Sequence, residues 1–465
     1  MDQYYQLSKR YGPSVRVGPN TVITFIRKMS AVQSPCRRSM NYYAMRLNPG
    51  KDHLFSTRNE VAHNDLRKTM TAHYSGKENL SLENDVDESI LELCHLIDNK
   101  YSSTAGNIKP MHLARKISFM VLDIISKVAF DAKFYDLTDD RDNHGHIAEI
   151  ENLLPSITWI APVAGLVKFL TDIGLLQMAA RFAGGRAGVE KKRFQPDGRP
   201  KDEMRSDMLG SFIRHGLSHE RAKEEAILNL TAGSDTTAST IRATMLNIMA
   251  SPRLYRLLTA EIDDAVARGA LPPEGKIVSA NQAHELLPLL QATIKEGLRW
   301  YPAVAAELSK LTPPQGDTIC GYYVPGGTKV GTSMKVLYRN EELYGPDAEA
   351  FRPERWLLSS ESRSPGTLEP FWDTRTSAMT LNAKGCLAFP PRTCSTHEWF
   401  FDIARQCSDD TYIHSSISTT DRPHTSNISG LPSSNPLKSV DSDFFFLFQK
   451  TWYLKPLRPR SPQPA

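Results

Sequence analysis

Residues Ala232-Gly233-Ser234-Asp235-Thr236-Thr237 interrupt an otherwise good helix. From about Glu220 to Ala250, apolar residues recur at helical spacing, supplied by Ile227, Leu228, Leu230, Ile241, Met245, Ile248 and Met249. The six residues themselves are poor helix formers. Gly233 alone costs about 1 kcal/mol against alanine in a helix interior, and Ser, Asp and Thr add several tenths each. Such a conflict between local preference and surrounding pattern is expected where function overrides foldability. Two readings follow. In one, the helix bends as it passes a bulky ligand. Gly233 then lets the ligand approach the backbone, Thr236 displaces a backbone hydrogen bond or holds a water, and Asp235 relays a proton. In the other, this is a kinked core helix whose glycine serves packing.

Two later stretches separate these readings. Lys295-Glu296-Gly297-Leu298-Arg299 puts Glu296 and Arg299 on one helical face at i, i+3. Further on, Phe351-Arg352-Pro353-Glu354-Arg355-Trp356 is a proline-stiffened turn with another arginine. In all three places, in this order, the chain resembles a cytochrome P450. A-G-x-D-T-T resembles the oxygen-binding helix of that family, including Ala232 and Gly233 beside the cofactor. E-x-x-R with P-E-R-W resembles its Glu-Arg-Arg triad, here Glu296, Arg299 and Arg355. The resemblance runs from about Tyr11 to Trp356. Arg16-Val17-Gly18-Pro19-Asn20-Thr21-Val22 and Val324-Pro325-Gly326-Gly327-Thr328-Lys329 look like fungal enzymes of the pisatin-demethylase kind. The implied fold is mainly α with a small β region, in one P450-like domain over residues 1–370. Residues 371–465 form an atypical C-terminal segment, irregular in structure.

Composition agrees with an ordinary globular chain: 465 residues, 40% hydrophobic and 23% charged. A net charge of +4 is too small to imply nucleic acid as a partner. Six cysteines without regular spacing read neither as a disulfide framework nor as a zinc site. No uninterrupted apolar run is long enough to span a bilayer. The resemblance implies the endoplasmic reticulum membrane. The missing anchor leaves either a soluble cytoplasmic protein or an incomplete N-terminus.

Along the chain, Ser14 to Phe25 predicts two short strands around Gly18-Pro19-Asn20. Glu60 to Lys68 is a helical pattern. In many P450s a W-x-x-x-R helix contacts a haem propionate. Here His63 holds the place of the tryptophan and Arg67 that of the arginine, so the resemblance assigns both to a propionate; a solvated basic helix is the plainer alternative. Leu82–Ile97 and Arg115–Phe130 predict core helices. Leu153–Met178 is apolar but broken by Pro155, Pro162 and Lys168. It reads either as buried helices and a loop or, by resemblance, as a channel lid that touches the membrane surface. Gly184 to Lys201 is a basic linker. Leu286–Tyr301 predicts the E-x-x-R helix, and Ile319–Thr332 short strands broken at Pro325-Gly326-Gly327.

After Trp356 the family pattern expects F-x-x-G-x-R-x-C-x-G, whose cysteine thiolate ligates haem iron. The chain has no such motif. Cys386, in Lys384-Gly385-Cys386-Leu387-Ala388, has the better spacing from Trp356, but Met379, Thr380 and Asn382 stand where Phe and Gly belong. Cys394 follows Arg392 at a longer spacing and is the second choice. Ser408–Pro436 is polar and loop-like where a long helix belongs. Resemblance then returns between Pro436 and Trp452, as a shifted reading frame or misassigned intron would produce.

The resemblance implies a haem-thiolate monooxygenase carrying haem b, with Cys386 on the iron and Asp235 and Thr236 delivering protons. Dioxygen, an NADPH-cytochrome P450 reductase and a small lipophilic substrate, a fungal secondary metabolite, complete the reaction. The rival is a P450-like protein without haem chemistry, or the product of a disrupted gene; the cysteine loop discriminates between the two.

Overall fold

A computed structural model describes residues 2–25, 38–74, 78, 81–104, 107–152, 163–176, 207–272, 277–304 and 309–357. The centre is helix α4 (Leu113–Phe130). It follows α1 (Asp2–Tyr11), α2 (Glu60–Tyr74) and α3 (Leu82–Leu96). Fifteen of the 18 residues of α4 are buried, so its apolar character extends all round, as a central helix requires. Its buried Asp123 accepts hydrogen bonds from the backbone N–H groups of Asp136 (3.1 Å) and Leu137 (3.0 Å). That carboxylate satisfies the orphan donors at the start of the short helix α5 (Asp136–Asp139).

After α6 (Ala164–Asp172) and α7 (Met208–Arg214) comes the long helix α8 (His219–Met249), packed along α4. Ser218 caps its start by accepting from the Arg221 N–H. Helix α9 (Pro252–Ala267) begins with Ser251 as cap and Pro252 in its first turn, where proline's missing N–H costs nothing. The expected E-x-x-R helix divides in two. Ser279 and Gln282 close a capping box on α10 (Ala280–Leu286), the chain turns at Leu287, and α11 (Pro288–Trp300) starts afresh on Pro288. Glu261 of α9 reaches across to accept from the N–H groups of Leu289 (2.7 Å) and Leu290 (3.0 Å). The predicted start at Leu286 therefore corrects to Pro288, because proline cannot continue a helix that is already running.

The β region is small. Strands β1 (Ser14–Gly18) and β2 (Thr21–Thr24) pair antiparallel, with an irregularity between Arg16 and Gly18. After β3 (Lys310–Leu311), β4 (Asp317–Ile319) and β5 (Tyr322–Val324) comes β6 (Lys329–Thr332). It joins β2 in parallel, Thr21 opposite Lys329, and β3 antiparallel, giving the order β1-β2-β6-β3. A separate hairpin pairs β4 with β5. The two glycines before β6 are used unequally. A Cβ on Gly326 would lie 2.2 Å from the Pro314 carbonyl oxygen, so only glycine fits that backbone approach.

Gly297 has the same constraint against a side chain. Its Cβ would sit 1.9 Å from Thr244 Oγ1 and 2.9 Å from Thr244 Cβ, where α11 crosses α8. Thr244 cannot swing away freely, since its hydroxyl donates to the Thr240 carbonyl at 2.8 Å. Gly297→Ala is expected to cost about 1–3 kcal/mol by overpacking. Thr244→Ala in the same chain should recover part of that loss. Denaturant unfolding of the single and double variants checks this; additive losses would count against the contact.

Candidate active site

Helix α8 is α-helical at every residue from 219 to 249, including the six poor helix formers. The helix stays continuous through them because most of their hydroxyls bond back to the helix. Ser234 Oγ donates to the Leu230 carbonyl (2.7 Å), Thr236 Oγ1 to Ala232 (2.9 Å) and Thr240 Oγ1 to Thr236 (3.0 Å). Each hydroxyl is thus satisfied four residues back. Gly233 is buried, and a Cβ there would lie 3.5 Å from Ile125 Cδ1 of α4. Its hydrogen-bearing face packs helix to helix; the approach it permits among the described residues is that of α4.

The helix therefore has two faces. Gly233, Ser234, Ala238, Ile241 and Met245 are buried. Ala232, Asp235, Thr236, Ser239, Thr240 and Ala243, three or four residues apart and so on one stripe, keep partial exposure. Burial pushes the Asp235 carboxyl above its ordinary value, helped by Glu151 and opposed by Arg242. The Arg242 Nη2 lies 4.0 Å from Asp235 Oδ1, and the Asp235 side chain keeps 29% of its surface open. Thr237 Oγ1 is buried and has no hydrogen-bond partner among the described residues.

Beneath α8, Glu296 of α11 is wholly buried and accepts five hydrogen bonds. Arg299 chelates it, Nε to Oε2 at 2.8 Å and Nη2 to Oε1 at 2.7 Å. Arg355 Nε reaches Oε1 at 3.0 Å. The Arg352 backbone N–H (2.7 Å to Oε1) and Trp356 Nε1 (2.8 Å to Oε2) complete the set. The arginines in turn collect backbone carbonyls. Arg299 donates to Tyr338, Ala348 and Ala350; Arg355 donates to Asp347 and Ala350. One carboxylate thus fixes the whole 338–356 segment to α11. The arrangement positions; it presents no open group for chemistry.

His63 and Arg67 lie one turn apart on α2, both partly buried. His63 Nε2 is 2.7 Å from Arg38 Nη2. Burial and then Arg38 hold the His63 ring down to about 4, so it is neutral at physiological pH. Its Nδ1 is buried and without a hydrogen-bond partner among the described residues. Burial also lowers the Arg67 pKa, yet this guanidinium has no ion-pair partner among the described residues. A donor and a cation side by side, both unanswered, suit a carboxylate. Sequence reasoning missed Arg38, Trp356 and the Arg352 N–H. Trp356 sits in a motif already noted; Arg38 has no local signal.

Cys386 and Cys394 lie outside the described residues. Among the described residues Cys94 and Cys320 form no disulfide, no group of three His, Cys, Asp or Glu could hold a metal ion, and no helix is long and apolar enough to cross a membrane.

Comparison with known proteins places these features in context. The family model described as Cytochrome P450 matches residues 1–371. Cytochrome P450 monooxygenase ABA1 of Pyricularia oryzae is 36% identical over 383 residues, covering 77% of this chain and 73% of the relative. Cytochrome P450 monooxygenase aba1 of Botryotinia fuckeliana is 34% identical over 375 residues, covering 77% and 72%. Among solved structures, a cytochrome P450 crystal structure superposes with TM-score 0.59 at 19% identity, covering 87% of this chain and 86% of that one. A zebra fish cytochrome P450 with abiraterone gives TM-score 0.54 at 18% identity, covering 84% and 89%.

Proposed function

Because this chain belongs to the cytochrome P450 family, we propose that it is a haem-thiolate monooxygenase oxidising a small lipophilic compound of fungal secondary metabolism. The observation that carries the reading is the half-open stripe on α8, where Asp235 and Thr236 keep partial exposure. The described residues fit haem b in two further respects. Among the described residues His63 Nδ1 is buried without a hydrogen-bond partner and Arg67, one turn on, has no ion-pair partner, as a propionate would require. Thr237 Oγ1 on α8 likewise has none among the described residues. When bound, haem supplies the reductive activation of dioxygen, its electrons coming from an NADPH-cytochrome P450 reductase.

The chain's own residues do the rest. Thr236 spends its hydroxyl proton on the Ala232 carbonyl, so its oxygen lone pairs are left to accept from a water on the open face. Asp235, held above its ordinary value by burial, supplies a proton beside that water. Glu296, Arg299 and Arg355 support the pocket from below. Ala232, on the half-open face of α8, borders the cofactor, Gly233 beside it lets α8 pack closely on α4, and Cys386 provides the thiolate, with Cys394 as second choice. Residues 1–370 form the P450-like domain and 371–465 the segment that carries the cysteine; the family match ending at residue 371 supports that division. Family membership supports the endoplasmic reticulum membrane as the location. Exposed Leu166, Phe169 and Ile173 on and just after α6 support peripheral contact with it.

One observation favours a second reading, a P450-like protein that binds no haem. The residues around Cys386 lack the glycines and phenylalanine of the family loop. Titration of the purified full-length chain with haem decides between them: saturable one-to-one binding supports the monooxygenase, and no binding sinks it. Given binding, Thr236→Ala should keep haem affinity but divert reducing equivalents from product to peroxide, and Thr236→Ser should restore coupling. Peroxide yield per NADPH consumed is the measurement; unchanged coupling in the alanine variant removes Thr236 from proton delivery.

A further inference from the structure

Arg38 is a buried arginine, 5% exposed, without an ion-pair partner among the described residues. Its surroundings hold it rigidly. Nη1 donates to the carbonyls of Leu54 and Thr57. Its own carbonyl accepts from Arg58 Nε at 3.0 Å. The guanidinium carbon lies 5.5 Å from the centre of the Tyr42 ring. Leu54 is tied to α8, because its N–H donates to both oxygens of Glu225, at 2.8 and 3.0 Å. The remaining Nη2 meets His63 Nε2 at 2.7 Å.

A guanidinium has donors only and keeps its proton at any pH a folded protein meets. His63 Nε2 must then be the acceptor, and a neutral ring must carry its single proton on Nδ1. That nitrogen is the buried one without a hydrogen-bond partner among the described residues. We infer that Arg38 is a positioning residue: it fixes His63 as the neutral Nδ1–H tautomer and so presents a fixed donor, beside the Arg67 guanidinium, to a carboxylate. The carboxylate is that of a haem propionate, and in this respect the inference rests on the cofactor reading above. The charges facing the ring agree. Arg38, Arg67 and Lys310 all oppose its protonation; the Asn64 amide favours it but does not hydrogen-bond Nδ1 in this geometry. Lys310 of β3 bridges the Arg38 backbone, so its charge is held nearby. Burial works against the Arg38 charge, and Tyr42 and then Glu60 favour it; Glu60 forms no ion pair with it among the described residues.

The sign of the pH dependence follows. An unfolded histidine titrates near about 6.5, and His63 is held at about 4 in the folded chain. Below the unfolded value the unfolded state binds the extra proton, so this histidine lowers stability as pH falls from about 6.5 towards 4.

The experiment uses the full-length chain without added haem, labelled with nitrogen-15 in its 13 histidines. The ring-nitrogen shifts report tautomer and titration, and His63→Gln assigns the signal. In the wild type, His63 should be protonated on Nδ1 alone and should not titrate above about pH 5. In Arg38→Met the ring should shift towards the Nε2–H form and its pKa should rise; Arg38→Lys, which also only donates, should retain the wild-type tautomer. A wild-type ring protonated on Nε2, which needs no variant to observe, overturns the inference. So does an unaltered tautomer in folded Arg38→Met. A haem titration keeps the two readings apart. Arg38→Met and His63→Gln should each weaken binding by on the order of tenfold, the usual effect of losing an outer-shell partner, and together no more than either alone. No binding by the wild type sinks the cofactor reading and with it the propionate, while the nitrogen shifts alone decide whether Arg38 sets the tautomer. Additive losses in the double variant overturn the coupling.

Discussion

Glu296→Ala is expected to leave little soluble, folded protein. The carboxylate is wholly buried between two arginines that are themselves buried, and it accepts five hydrogen bonds. Removing one partner of a buried ion pair costs about 3–5 kcal/mol, because the remaining charge is left unpaired. Here Arg299 is left unpaired beside a second arginine, Arg355, which keeps only Asp347. A domain's whole stability is about 5–15 kcal/mol, so this one loss takes a large share of it. Glu296→Gln should be milder. It keeps the shape and one carbonyl acceptor, but it turns an NH₂ towards donors and leaves Arg299 without a counter-charge, while Arg355 keeps Asp347 Oδ1 at 3.1 Å. Trp356→Phe forfeits a single hydrogen bond to a charged group, about 1.5–3 kcal/mol, and should fold. Soluble yield and thermal unfolding of the three variants rank them. Wild-type melting of Glu296→Ala would mean that the pair is solvated and the segment 338–356 is held by other contacts.

That triad also shows what a sequence can disclose. Glu296 and Arg299 share a helical face at fixed spacing, and Arg355 sits in a proline-stiffened turn, so both halves are local patterns. Their meeting is not local; it became legible only through resemblance to a family that joins them. The Arg352 N–H escaped notice because every residue has one, and Trp356 because an indole beside a motif is ordinarily core. The small sheet was legible for a similar reason, since Gly18-Pro19-Asn20 and Pro325-Gly326-Gly327 punctuate the strands. The parallel β2–β6 pairing, across some three hundred residues of chain, had no local sign.

The central helix was legible in extent, although propensity argued against it at Gly233–Thr237. The structure keeps the helix because the Ser234, Thr236 and Thr240 hydroxyls return their protons to carbonyls four residues back, and because Gly233 lies against Ile125, where burial outweighs intrinsic preference. Arg38 illustrates the opposite limit. It precedes His63 by a loop with no periodicity, and only the fold brings the two together.

Cys386→Ser is expected to abolish the carbon-monoxide absorption band of thiolate-ligated haem, whereas Cys394→Ser should leave it unchanged. The case rests on residue order and chemistry. A thiolate donates electron density to the iron in a way that serine's oxygen does not, so the band reports sulfur ligation and vanishes when the sulfur does. Cys386 follows a basic residue two places earlier and precedes an apolar and then a small one, in Lys384-Gly385-Cys386-Leu387-Ala388. Cys394 is followed by Ser395 and Thr396, and its spacing from Trp356 is longer. The glycines that let such a loop approach the ring are missing upstream of Cys386, where Met379, Thr380 and Asn382 stand. Sequencing the transcript across the codons for residues 357–440 is therefore the companion measurement. An intact F-x-x-G-x-R-x-C-x-G in the transcript would transfer the ligand to that cysteine. If the transcript encodes the present residues and the band survives Cys386→Ser but not Cys394→Ser, the assignment reverses. If both variants and the wild type lack the band, the chain holds no thiolate-ligated haem, and the stripe on α8 belongs to a protein that kept the P450 frame without its chemistry.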